Sequence, residues 1–156
     1  MNGGLGKPPR DRVAVGLPAR PSSLPAFMQA LEEVCRHAQL DRETINDLLV
    51  VLDEVCANVF KHAYAGGEPG PLHVTVVHRP TPHPGVIGIT LVDKGMRFNP
   101  LSLPEPDLAS EAEDRPIGGL GVHLMRRLTD EQSYVYTSAA GNQLTLIKNI
   151  PAAHAN

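Results

Sequence analysis

The sequence predicts an α+β fold: a two-layer sandwich in which a mostly antiparallel sheet carries helices on one face. Three observations predict it. Two amphipathic helical segments follow one another, at about residues 25–38 and 41–65. Two strand-like segments, 72–76 and 86–92, come next with only a proline-containing link between them, and a hairpin closes the chain. Strands with no helix between them pair antiparallel, and helices that do not alternate with strands gather on one face.

The 156 residues suit one domain with one core, and an apolar content of 42% is enough to form it. A net charge of -3 without a basic stripe argues against a nucleic-acid partner. No apolar run reaches membrane-spanning length, and residues 1–12 lack the apolar stretch of a secretory signal. The expected organisation is a disordered tail over 1–11, one domain over 12–150 and a loose tail over 151–156. Cys35 and Cys56 fall among apolar neighbours on the two helices and read as inert core thiols in a reducing, cytoplasmic setting. The seven histidines are scattered, with no pair at zinc-ligand spacing.

Val13, Ala14 and Val15 start a short strand that ends by Pro18, and Pro18 and Pro21 assign it to an edge or a turn. Ser22 or Ser23 caps the first helix, whose stripe is Phe27, Leu31, Val34, Cys35 and Ala38. Asp41 caps the second, and Gly66 and Gly67 stop it. At about 100 degrees per residue, Ile45, Leu48, Leu49, Leu52, Cys56, Val59 and Ala63 share the face that meets a core. Glu54 and Asn58, four apart, stack on the far side with Lys61 beside them. Leu72, Val74 and Val76 alternate with His73 and Thr75, as in a half-buried strand. Residues 86–92 are nearly all apolar, as in a central strand. Three prolines make 79–85 a loop, with His78 and His83 as surface residues. A polar, proline-rich stretch runs to Pro116 and reads as a lid. The turn Gly118-Gly119-Leu120-Gly121 then opens a helix over 120–128 with Leu124, Met125 and Leu128 on its buried side. Strands 134–138 and 143–148 flank a turn at 139–142.

Three motifs carry chemistry together. Asp93 ends a buried strand and is followed by Gly95; a carboxylate there can accept a hydrogen bond from the amine of adenine, and glycine lets the backbone approach the base. The Gly118–Gly121 turn at a helix N-terminus presents backbone N–H groups and a positive dipole end, which suit phosphates. On the long helix, the amide oxygen of Asn58 can complete the shell of a phosphate-held Mg²⁺, and Glu54 then lies near the terminal phosphate as a general base. Each motif alone also fits a plain turn or a solvated helix face. Their order and their separation by a lid are specific. The glycine turn is neither a Walker A loop nor a dinucleotide fingerprint, because the residues those need are missing at the right spacing.

That order resembles the GHKL, or Bergerat-fold, ATP-binding domains of histidine kinases and gyrase, and within them the bacterial anti-sigma factor serine kinases. The likeness runs from about Val13 to Lys148. Glu54-x-x-x-Asn58 with Lys61-His62-Ala63-Tyr64 is similar to the N box, Asp93-Lys94-Gly95 to the first glycine box, and Gly119-Leu120-Gly121-Val122 to the second. Gly141-Asn142-Gln143-Leu144-Thr145 is similar to the last hairpin, where Thr145 would join Asp93 at the adenine. The resemblance implies ATP and Mg²⁺ as cofactors, with Glu54 as base, Asn58 as Mg²⁺ ligand and Asp93 as adenine reader. It implies a serine or threonine substrate on a STAS-type anti-anti-sigma factor, a sequestered sigma factor as second partner, and a homodimer as a possible state. Arg97 departs from the pattern where a second glycine is usual; its side chain either narrows the pocket or reaches a phosphate. The alternative is a nucleotide-binding regulatory module without kinase activity.

Overall fold

The computed structural model describes residues 11–102 and 119–151. The chain begins with strand β1 (Arg12–Pro18), a 3₁₀ turn at Pro21–Ser23 and helices α1 (Leu24–His37) and α2 (Arg42–His62). Strands β2 (Pro71–Arg79) and β3 (Val86–Asp93) follow, then a 3₁₀ turn at Pro100–Ser102. Helix α3 (Gly119–Leu128) and strands β4 (Glu131–Thr137) and β5 (Gly141–Asn149) complete the order. The five strands form one sheet in the order β1-β2-β3-β5-β4, antiparallel throughout. This is the α+β sandwich expected from the sequence. The segment read as a lid lies almost wholly outside the described residues, as does Gly118.

Alternation explains the sheet. Leu72, Val74 and Val76 of β2, Ile87, Ile89 and Leu91 of β3, and Leu144 and Leu146 of β5 are buried on one face. Phe27, Leu31, Val34 and Cys35 of α1 and Leu48, Leu52 and Cys56 of α2 join them in a single cluster. Truncating one such fully buried leucine to alanine costs about 2–5 kcal/mol. β1 ends at Pro18 as expected, because as an edge strand it tolerates proline at its end, paired there with Pro71.

Helix α2 begins as its sequence dictates. Asp41 is extended (φ -69, ψ 161), and its Oδ1 accepts the Thr44 N–H at 2.7 Å. Its buried stripe is wider than the wheel suggests: Val51 and Val55 are buried too, whereas Leu49 and Val59 are only partly so. The cause is α3, which packs against α2 and buries Val122 and Met125, giving α2 a second covered flank. Two smaller expectations also change. His78 is half-buried within β2, where its N–H donates to Asp11 O at 2.7 Å, while His83 is exposed. The hairpin turn spans only 138–140, so Asn142 is a strand residue, directly opposite Asp93 on β3.

Candidate functional site

The C-terminal end of β3, the start of β5 and the last turns of α2 converge on an open cleft. Leu91 and Leu144 line it from the sheet, Val55, Val59 and Ala63 from α2, and Met96, Phe98 and Pro100 from the segment after β3. Its polar lining is Asp93, Asn142, Asn58 and Tyr134. A largely apolar slot with a few fixed polar groups suits a flat heterocycle.

Asp93 is 6% exposed. Its Oδ1 accepts the Gly95 N–H and the Asn142 Nδ2–H, both at 2.9 Å. Its Oδ2 has no hydrogen-bond partner among the described residues. Gly95 is needed because the loop runs against the end of α2: a β-carbon there would lie 2.1 Å from Ala63 O, the carbonyl that accepts Met96 N–H at 2.7 Å. Tyr64 braces the same corner, donating to Pro71 O at 2.6 Å and accepting Lys94 N–H at 2.8 Å. Burial raises the Tyr64 hydroxyl above its ordinary value, so it holds its proton.

Asn58 is half-buried on the cleft wall. Glu54, one turn earlier, is half-buried against the first turn of α3, where a β-carbon on Gly121 would lie 2.8 Å from its Oε2. The pair is therefore not on an open solvated face. Gly119 and Leu120 open α3, and Gly121 follows within its first turn. The long helix thus meets Asp93 at the cleft through Asn58 and meets the second glycine motif through Glu54; Glu54 and Gly121 themselves do not line the cleft.

Other expected site residues are elsewhere. Val122 is 1% exposed and belongs to the core. Lys61 is exposed in the last turn of α2 and does not line the cleft. Arg97 does not line the cleft: its guanidinium lies over the Tyr136 ring, 5.1 Å from the centroid. Thr145 needs correction. It pairs with Thr90, its Oγ1 3.5 Å from that of Thr90, on the sheet face opposite Asp93. Strand alternation forbids it to join Asp93, and Asn142 does so instead. Sequence reasoning missed Asn142 and Tyr134. The available signal was Leu144 and Leu146, whose burial puts Asn142 inward and Thr145 outward.

No cluster of three or more His, Cys, Asp or Glu able to hold a metal occurs among the described residues. No helix among them is long and apolar enough to cross a membrane.

The chain is similar to known proteins. The chain is 26% identical over 139 residues to the serine-protein kinase RsbW of Listeria monocytogenes serovar 1/2a, covering 86% of each chain. It is 30% identical over 128 residues to RsbW of Bacillus pumilus, covering 78% of this chain and 76% of that one. It is 31% identical over 87 residues to the serine/threonine-protein kinase BtrW of Bordetella bronchiseptica, covering 56% and 58%. Among solved structures, the RsbU and RsbW domains of Rv1364c from Mycobacterium tuberculosis superpose with a TM-score of 0.64 at 17% identity, over 95% of this chain and 35% of that one, which supports the fold. The sequence model of the histidine kinase-like ATPase domain matches residues 17–148, nearly the whole described chain. With its antiparallel sheet, its helix-lined cleft and that match, the chain belongs to the histidine kinase-like ATPase domain family.

Proposed function

We propose that this domain binds ATP in the cleft and acts as a serine/threonine kinase and anti-sigma factor, phosphorylating a STAS-type anti-anti-sigma factor and sequestering a sigma factor. The observation that carries the reading is Asp93: a buried carboxylate at the cleft with one oxygen engaged twice and the other free for an exocyclic amine. Family membership supports nucleotide binding, and the names of the relatives support kinase activity and partner switching.

Asn58 would supply the protein oxygen to a phosphate-held Mg²⁺, a role that needs no acidic cluster. Bound Mg²⁺ supplies charge neutralisation on the transferring phosphoryl group. Glu54 would take the proton of the substrate hydroxyl, and the first turn of α3 would present N–H groups to phosphate oxygens. Phosphoryl transfer asks mainly for positioning and charge stabilisation, and these residues offer both. In this reading Gly95, Gly119 and Gly121 shape the pocket, and the resemblance adds Gly118 and Leu120 as nucleotide-binding residues. On the same reading the working site is the cytoplasm.

The test is phosphoryl transfer from labelled ATP to STAS-domain partners. Glu54→Gln is expected to keep ATP affinity and lose transfer to serine. Undiminished transfer by that variant removes Glu54 from the base role. ATP binding by the unaltered protein without transfer to any such partner overturns the kinase in favour of a regulatory nucleotide-binding module.

A further inference from the structure

Asn142 is 5% exposed, and all of its side-chain polar atoms are engaged. Its Nδ2 donates to Asp93 Oδ1 and to Met96 O, both at 2.9 Å. Its Oδ1 accepts Phe98 N–H at 3.1 Å and the hydroxyl of Tyr134. A backbone N–H only donates and a backbone carbonyl only accepts, so the amide has one permitted orientation. Gly95 N–H and Asn142 together fill both lone-pair positions of Asp93 Oδ1.

We propose that Asn142, held by Tyr134, is a positioning residue that makes the cleft reject guanine nucleotides by denying Asp93 Oδ1 to the ligand. The inference rests on the nucleotide reading above. Adenine offers a single exocyclic amine and needs a single acceptor, which Oδ2 supplies. Guanine offers two adjacent donors, N1–H and the 2-amino group, and its natural match is a carboxylate with both oxygens open. With Oδ1 saturated, that two-point contact cannot form, and one guanine donor is left buried without a partner. A buried polar group left unpaired is what makes such discrimination steep. Besides Asp93 and Asn142, the polar lining is Asn58, on the α2 wall, and Tyr134, whose hydroxyl is engaged by Asn142.

The experiment measures dissociation constants for ATP, GTP and inosine triphosphate by calorimetry, for the unaltered protein, Asn142→Leu and Tyr134→Phe. Asn142→Leu removes the competing donor at similar volume, and Tyr134→Phe removes only the hydroxyl that orients it. The ATP-over-GTP ratio is expected to fall about tenfold in Asn142→Leu and about threefold in Tyr134→Phe, the worth of one hydrogen bond and part of one. Inosine triphosphate, which lacks the 2-amino group, is expected to gain less than GTP. Equal weakening of all three nucleotides assigns Asn142 a purely structural role and overturns the inference, as does an unchanged ratio. Should Asn142→Leu fail to fold, Tyr134→Phe decides. Failure of the unaltered protein to bind ATP at all rejects the nucleotide reading itself, a separate result.

Discussion

Gly121 and Glu54 are in direct apposition: a β-carbon on Gly121 would lie 2.8 Å from Glu54 Oε2. The atom in the way is the end of a flexible side chain, so the fold survives a methyl group there while the carboxylate moves. Gly121→Ala is expected to melt within a few degrees of the unaltered protein and to lose about 100-fold in transfer to a serine substrate, the penalty of a misplaced catalytic group. Thermal melts alongside initial rates check it. A full rate in a variant that folds would mean Glu54 is not held where the chemistry needs it.

The approach of Gly95 to Ala63 is of another kind, because the obstacle is backbone, 2.1 Å from the would-be β-carbon. Gly95→Ala must push the loop off the end of α2 and strain the Met96 N–H bond to Ala63 O. A loss of about 1–3 kcal/mol in urea unfolding is expected, together with weaker ATP binding.

Thr145 provides a negative control. It lies on the opposite sheet face from Asp93, beside Thr90. Thr145→Val is expected to leave ATP affinity within about twofold, as for a change that removes no ligand contact. A tenfold loss by calorimetry would restore it to the site.

The thiols make a prediction in pH. Burial pushes both Cys35 and Cys56 from the ordinary 9.0 up to about 12. Below pH 9 both states keep these protons, and the stabilisation is complete. As pH rises from 9 towards 12 the unfolded chain releases protons that the folded chain retains, so stability falls by about 1.4 kcal/mol per pH unit for each thiol. Urea midpoints at pH 8 and pH 10 are expected to drop further in the unaltered protein than in the Cys35→Ala/Cys56→Ala variant. Equal drops would mean the thiols do not contribute.

Most of the architecture was legible because it follows from period and punctuation. The stripes of α1 and α2, the Asp41 cap and the alternation in β2 are local signals, and each element formed where they pointed. The second buried flank of α2 was not legible, since Val51 and Val55 are covered by α3, some 70 residues away. Of the cleft's polar lining, Asn58 and Asp93 are legible in the sequence. The place of Thr145 at the adenine rests on the family resemblance alone, and with Asn142 assigned to the turn the alternation that sets the two apart is not visible. A three-residue turn starts β5 at Gly141, which brings Asn142 to Asp93. Arg97 was ambiguous because its destination is set by Tyr136, which belongs to a distant strand.

The insertion of β5 between β3 and β4 has a consequence for biosynthesis. Until the last strand has left the ribosome, β3 is an edge of the nascent sheet, and Asp93 has no amide to hold it: that bond joins residues 49 apart in the chain. A polypeptide interrupted before Gly141 therefore carries the long helix and the aspartate but lacks the Asn142 and Leu144 wall of the cleft.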